Sequence, residues 1–257
     1  MGQLSDSLQK SEMRTLLIDI ETSPNTALIF DLWDQNVSLN QLLDTTVMLC
    51  FAAKWLDKKG MEFYSVHQDR DAMIENAWRL LDEADVVMHY NGRRFDIPHL
   101  NREFVERGWG PPSPFQQVDL LSTVKQRFKF PSNKLEYVSR ALGLEGKVKH
   151  EGFSLWVKCM DGDAAAWKRM ERYNRRDVQL LEDLYHSLQP WVLNHPARTL
   201  FTEGAGCPTC GAALESVERA GRYNTKTRTY RQYRCVECGS YFRSTRSERG
   251  VHLTGVA

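Results

Sequence analysis

Four of the six cysteines stand in two Cys-x-x-Cys pairs, each followed by glycine: Cys207-Pro-Thr-Cys210-Gly and Cys235-Val-Glu-Cys238-Gly. Such a pair makes a tight turn that aims two thiolates at one point. Four thiolates in tetrahedral geometry select Zn²⁺, and a closed four-cysteine site is structural rather than catalytic. The 24 residues between the pairs exceed the usual spacing of about 15–20. They still suit a zinc ribbon of two hairpins, with Arg228–Arg234 (RTYRQYR) as one strand. Residues 207–257 are thereby constrained to a small module that has almost no core without its metal. Cys50, in VMLCFAA, and Cys159 read instead as buried, inert thiols.

Charge divides near the same place. From Arg198 to Ala257 there are ten Lys/Arg against five Asp/Glu, while residues 1–197 hold 24 against 28. A basic tail on a mildly acidic body suits contact with phosphates. The tail's cations, Arg219, Arg222, Lys226, Arg228, Arg231, Arg234, Arg243, Arg246 and Arg249, interleave with Tyr223, Tyr230, Tyr233 and Tyr241. Nucleic acid and a docked protein both fit such a surface.

The rest of the chain reads as one α/β domain. Residues 1–13 are polar and expected to be disordered. Apolar runs of strand length occur at Arg14–Ile20, Val47–Lys54, Met61–Val66 and Val86–Tyr90, with a hairpin signal at Lys58-Lys59-Gly60. Helical spacing covers Asp71–Ala84, Ile97–Arg107, Lys134–Leu142 and, longest, Ala164–Leu188. Strands first, then alternating helix and strand, predict a mixed sheet flanked by helices. That domain is expected over residues 14–189, with a linker at 190–206 and the ribbon from 207. No apolar stretch approaches the ~20 residues that span a bilayer, and no signal-peptide core precedes residue 14. A cytoplasmic protein without membrane contact is expected.

Three segments carry carboxylates in suggestive places. Asp19-Ile20-Glu21 ends an apolar strand, so the two side chains point to one side and repel unless a cation relieves them. A strand emerging into solvent would look the same. Asn91-Gly92-Arg93-Arg94-Phe95-Asp96 follows the VVMHY strand, and Asp96 stands where a helix begins, a common place for a capping aspartate. Tyr173-Asn174-Arg175-Arg176-Asp177 lies within the longest helix, with Tyr173 and Asp177 on one face. Taken singly, Asp177 fits a solvated pair on that face.

Taken together, in this order and spacing, the three segments resemble the DEDD superfamily of 3′–5′ exonucleases, of the DnaQ-like, RNase H-like fold. The resemblance covers about residues 14–196 and is nearest to the proofreading domains of family B DNA polymerases. It implies Asp19, Glu21, Asp96 and Asp177 as ligands of two Mg²⁺ or Mn²⁺ ions. It also implies Tyr173 as the tyrosine of the Y branch. The histidine branch carries His five residues before its last aspartate, and here that position is Arg172. Asn91 and Phe95 also match the second motif. Arg93, Arg94 and Lys134 are candidates to hold the substrate backbone, and Phe128, Phe130 and Tyr137 either stack on terminal bases or pack in the core.

The chemistry agrees with the resemblance. Phosphodiester hydrolysis needs an activated water and a stabilised leaving oxyanion, which two divalent ions provide, and hard oxygen ligands suit Mg²⁺ or Mn²⁺. The expected activity is removal of nucleotides from the 3′ end of single-stranded DNA. An exoribonuclease, or a non-catalytic adaptor that recruits a partner, are the alternatives. DNA is favoured over RNA by the likeness to proofreading domains. With no room for a polymerase domain, proofreading beside a DNA polymerase or other replication protein is expected in trans.

Overall fold

The computed structural model describes residues 12–144, 151–201 and 205–251. The expected disorder of residues 1–13 falls mostly outside that range. Two compact units are present, one spanning Arg14–Ser187 and the other beginning at Leu188.

The first unit is organised by alternation along its first strand, β1 (Thr15–Thr22). Leu16, Ile18 and Ile20 join an apolar cluster with Met73, Leu80 and Phe104, which leaves Leu17, Asp19 and Glu21 on the opposite side. Two short strands, β2 (Thr26–Ala27) and β3 (Leu42–Asp44), pair with each other. Then come β4 (Met48–Trp55), β5 (Met61–Ser65), helix α1 (Arg70–Asp82), β6 (Val86–His89), α2 (Asp96–Glu106) and β7 (Gln116–Asp119). The central sheet runs β5-β4-β1-β6-β7. β5, β4 and β1 are antiparallel, whereas β6 and β7 add in parallel to β1. This is the mixed sheet that the strand order predicts.

Helices cover both faces. The cluster containing Leu16, Ile18 and Ile20 is closed by α1 and α2. On the other face, Leu49 and Cys50 of β4 pack with Leu155 and Cys159 of α5 (Phe153–Met160) and with Trp167, Met170 and Tyr173 of α6 (Ala164–Leu188). Between them in sequence lie α3 (Leu120–Arg127) and α4 (Leu135–Ala141). Burial raises both free thiols, Cys159 to about 11 and Cys50 well above its ordinary value, so both stay protonated, as inert core residues should.

One buried charge ties this unit together. Glu103 on α2 is fully buried and is met by Arg70 (2.8 Å), Arg107 (3.0 Å) and the Met48 backbone N–H (3.3 Å). Helices α1 and α2 are thus fixed to the start of β4.

The second unit is a three-stranded antiparallel sheet, β8 (Val217–Asn224), β9 (Arg228–Cys235) and β10 (Tyr241–Gly250). Part of the segment read as a linker belongs to it: Arg198 N–H donates to the Pro208 carbonyl at 2.8 Å, and Gly206 bridges to Ala213. Among the described residues no helix is long and apolar enough to cross a membrane.

Candidate active site

Strand alternation delivers Asp19 and Glu21 to the sheet face that α6 covers. The β1–β4 register shifts between Glu21 and Thr22, so the regular strand ends where the second carboxylate leaves it. Asp177 comes from α6, one turn beyond Tyr173. Carboxylate oxygens of Asp19, Glu21 and Asp177 lie within 4.8 Å of one another. Three such groups repel strongly unless protonated or bridged by a cation. Asn174, fully buried between them in sequence, donates Nδ2–H to Asp19 Oδ2 (2.8 Å) and to the Asp19 carbonyl (3.1 Å). Its own Oδ1 is buried and meets no hydrogen-bond partner among the described residues.

Asp96 is not the helix cap that its position suggests. Phe95 occupies the cap position of α2, and the Asp96 carboxylate instead accepts from Ile20 N–H at 3.1 Å. Ile20 stands between Asp19 and Glu21, so the fourth carboxyl is pinned to the same stretch of β1, although outside the 4.8 Å group. Burial pushes Asp96 up to about 7.

Tyr173 is buried edge-on against Trp156, with ring centroids 5.9 Å apart. Burial, the neighbouring Asp177, Glu21 and Asp19, and a hydrogen bond to Asp177 hold its phenol well above the ordinary value. Tyr173 also borders an open cleft of about 590 Å³, lined in addition by Tyr90, Asn91, Lys125, Asn133 and Lys134. The Tyr90 hydroxyl donates to the Asn133 carbonyl at 2.6 Å, and buried Asn133 Oδ1 has no partner among the described residues.

The residues expected to hold substrate divide. Asn91 and Lys134 reach the cleft; Arg93, Arg94 and Phe95 are exposed and do not line it. Phe95 packs edge-on against His99 at 4.7 Å. Asn91 takes a left-handed backbone (φ 74°), held by its N–H to Asp119 Oδ1 at 3.0 Å, while the same carboxylate oxygen caps α3 through Leu121. Phe128 and Phe130 pack on each other at 5.6 Å, and Arg140 lies 5.8 Å over the Tyr137 ring. Sequence reasoning missed Asn174 and Lys125: an asparagine in a helix carries no signal of a partner 155 residues away, and α3 went unrecognised.

The four C-terminal thiols converge. Cys207 and Cys238 sulfurs are 3.6 Å apart, Cys210 and Cys235 3.7 Å apart, and all four lie within 4.8 Å of one another. A tetrahedron with 2.3 Å Zn–S bonds has edges of about 3.8 Å. The donor set and its spacing fit one zinc ion. A third group, Asp57, Glu182 and His186, is compensated internally, because Glu182 is already engaged by Lys54, Gln179 and the Asp57 N–H.

A sequence profile of the RNase H superfamily matches residues 37–189. The chain belongs to that superfamily. Membership in the RNase H superfamily supports a metal-dependent nuclease activity in general, and the oxygen-donor cluster is compatible with such metals. Among solved structures, the family B DNA polymerase from the hyperthermophilic archaeon Pyrobaculum calidifontis matches with a TM-score of 0.52 at 20% identity, over 69% of this chain. The match spans only 25% of the polymerase, and at that identity it shows a shared fold alone. Curated proteins gave no match. In this RNase H-like fold the candidate site sits on the strand that is central in the sheet, with α6 across it.

Proposed function

We propose that the protein is a 3′–5′ exonuclease of the Y branch, acting on single-stranded DNA. The observation that carries the reading is the meeting of Asp19, Glu21 and Asp177 oxygens within 4.8 Å, beside Tyr173 and an open cleft. Asp19, Glu21, Asp96 and Asp177 would hold two Mg²⁺ or Mn²⁺ ions, which when bound supply water activation and charge neutralisation at the scissile phosphate.

The chain's own groups do the rest. Asn174 donates to Asp19 Oδ2 and so holds that carboxylate in place, as groups that orient a metal ligand do. Tyr173 stays protonated at neutral pH, so it cannot serve as a base; its hydroxyl orients the attacking water while donating to Asp177. Lys134 and Lys125 at the cleft offer cations to the substrate backbone, and Asn91 is presented to it by the Asp119-braced turn. The four cysteines would hold one structural zinc. In this reading the chain proofreads or trims ends beside a DNA polymerase or another replication protein, as the likeness to a polymerase fold suggests.

The test is direct. Matched single-stranded DNA and RNA, each labelled at the 5′ end, are incubated with the protein and Mg²⁺. A ladder that shortens from the 3′ end on DNA is expected. A ladder on RNA alone would make the enzyme an exoribonuclease, and endonucleolytic products would contradict the exonuclease reading.

A further inference from the structure

The two faces of the C-terminal sheet differ in chemistry. On one face Arg222 and Arg231 stand opposite each other in the β8–β9 register, and both reach Glu248. Tyr233 stacks on Phe242 beside them, with ring centroids 6.0 Å apart. Arginine charge on that side is partly neutralised within the sheet.

On the other face Tyr223 pairs with Tyr230, Arg243 with Gln232 and Tyr241 with Arg234, and strand alternation turns all of them the same way. The Arg243 guanidinium lies 3.8 Å from the Tyr230 ring centroid and 5.8 Å from that of Tyr223, and Arg234 lies 5.8 Å from that of Tyr241. Among the described residues neither Arg234 nor Arg243 forms an ion pair. The one carboxylate at a paired position of this face is Glu218, opposite Arg234. Tyr241 and Tyr223 remain 60% and 47% exposed.

We propose that this second face is a platform for single-stranded nucleic acid, with bases stacking on Tyr241 and Tyr223 and phosphates meeting Arg234 and Arg243. Aromatic rings interleaved with guanidinium groups suit a strand without sequence preference, since every base has a π-face and every linkage a negative charge. The positive surplus of the module, ten Lys/Arg against five Asp/Glu from Arg198 onward, complements such a ligand. The choice of a nucleic acid over an acidic protein rests on the nuclease reading of the other unit.

The platform is tested by binding rather than cleavage, in full-length zinc-loaded protein carrying Asp19→Asn to suppress hydrolysis. A 5′-fluorescent thymidine 20-mer is titrated at several salt concentrations. Tyr241→Ala should weaken binding about tenfold, as loss of one stacked base does. Arg234→Gln with Arg243→Gln should weaken binding and flatten the salt slope by about 1.4, two phosphates at roughly 0.7 each. Arg222→Gln with Arg231→Gln removes the same charge from the opposite face and should stay much nearer the parent protein. One zinc per chain in each variant confirms the module is intact; if the arginine variant loses metal, the exposed Tyr241→Ala decides. Unchanged affinity on Tyr241→Ala, or equal loss from the two arginine pairs, overturns the platform. The nuclease reading is scored separately, by cleavage of the same oligonucleotide with the wild-type protein.

Discussion

Asn174 shows how a single side chain sets the geometry of a charged cluster. Its Nδ2 bonds both the carboxylate and the carbonyl of Asp19, so the strand and the helix share one anchor. Groups that orient a metal ligand are typically worth about 10–100-fold in metal affinity or activity. Asn174→Leu should therefore raise the Mg²⁺ concentration for half-maximal activity by that factor, measured in a metal titration; an unshifted curve would reduce Asn174 to packing. Tyr173→Phe keeps the ring and removes the hydroxyl. Turnover should fall about 10²-fold with KM little changed, and unaltered turnover would mean the ring only fills space. Gly92 is a steric case. A Cβ there would lie 2.4 Å from His89 Cγ, and its N–H already donates to His89 Nδ1 at 3.0 Å. Gly92→Ala should cost about 1–3 kcal/mol of stability, as overpacking does, measured by urea unfolding; a wild-type midpoint would show that His89 can swing aside.

Among the elements, those with strong periodicity were legible and those without were not. The run Ala164–Leu188 predicts a helix with the bounds observed for α6, because its apolar residues recur over many turns. β7 is four residues of QQVD, and α3 starts at the next residue with no turn signal between them. Strand and helix run together without a break in the pattern, so Lys125 was lost with α3. α5, FSLWVKCM, is apolar on most sides and eight residues long, which suits a buried strand equally well. Asp96 was placed at the right point of the chain, yet its role as acceptor for Ile20 could not be read, because nothing local marks a bond across 76 residues. Burial also decides what α2 contributes to stability. Glu103→Ala removes the shared acceptor of Arg70, Arg107 and Met48 N–H. The arginines can still reach water, so the cost should be about 2–3 kcal/mol, below that of a wholly buried pair. Denaturant unfolding checks this, and a change under about 0.5 kcal/mol, ordinary for surface sites, would contradict it.

At the scale of the molecule, two units follow two stabilising principles. The larger is held by apolar clusters on both faces of its sheet; the smaller has, among the described residues, few buried side chains beyond Cys207, Cys235 and Tyr230, and in the proposed reading a metal held by its four thiols would supply what the small core does not. Cys235→Ser should release the zinc and abolish the ribbon's amide protection in hydrogen exchange, leaving protection of residues 14–187 near wild type. The central claim concerns the carboxylates on β1 and α6. It is tested most directly by the rate of Asp19→Ala on 5′-labelled single-stranded DNA in saturating Mg²⁺, beside wild type with metal and after chelation. Wild-type activity that disappears with EDTA and returns with Mg²⁺ or Mn²⁺, together with a folded Asp19→Ala protein slower by several orders of magnitude, is the predicted result. Cleavage by Asp19→Ala at the wild-type rate would contradict it.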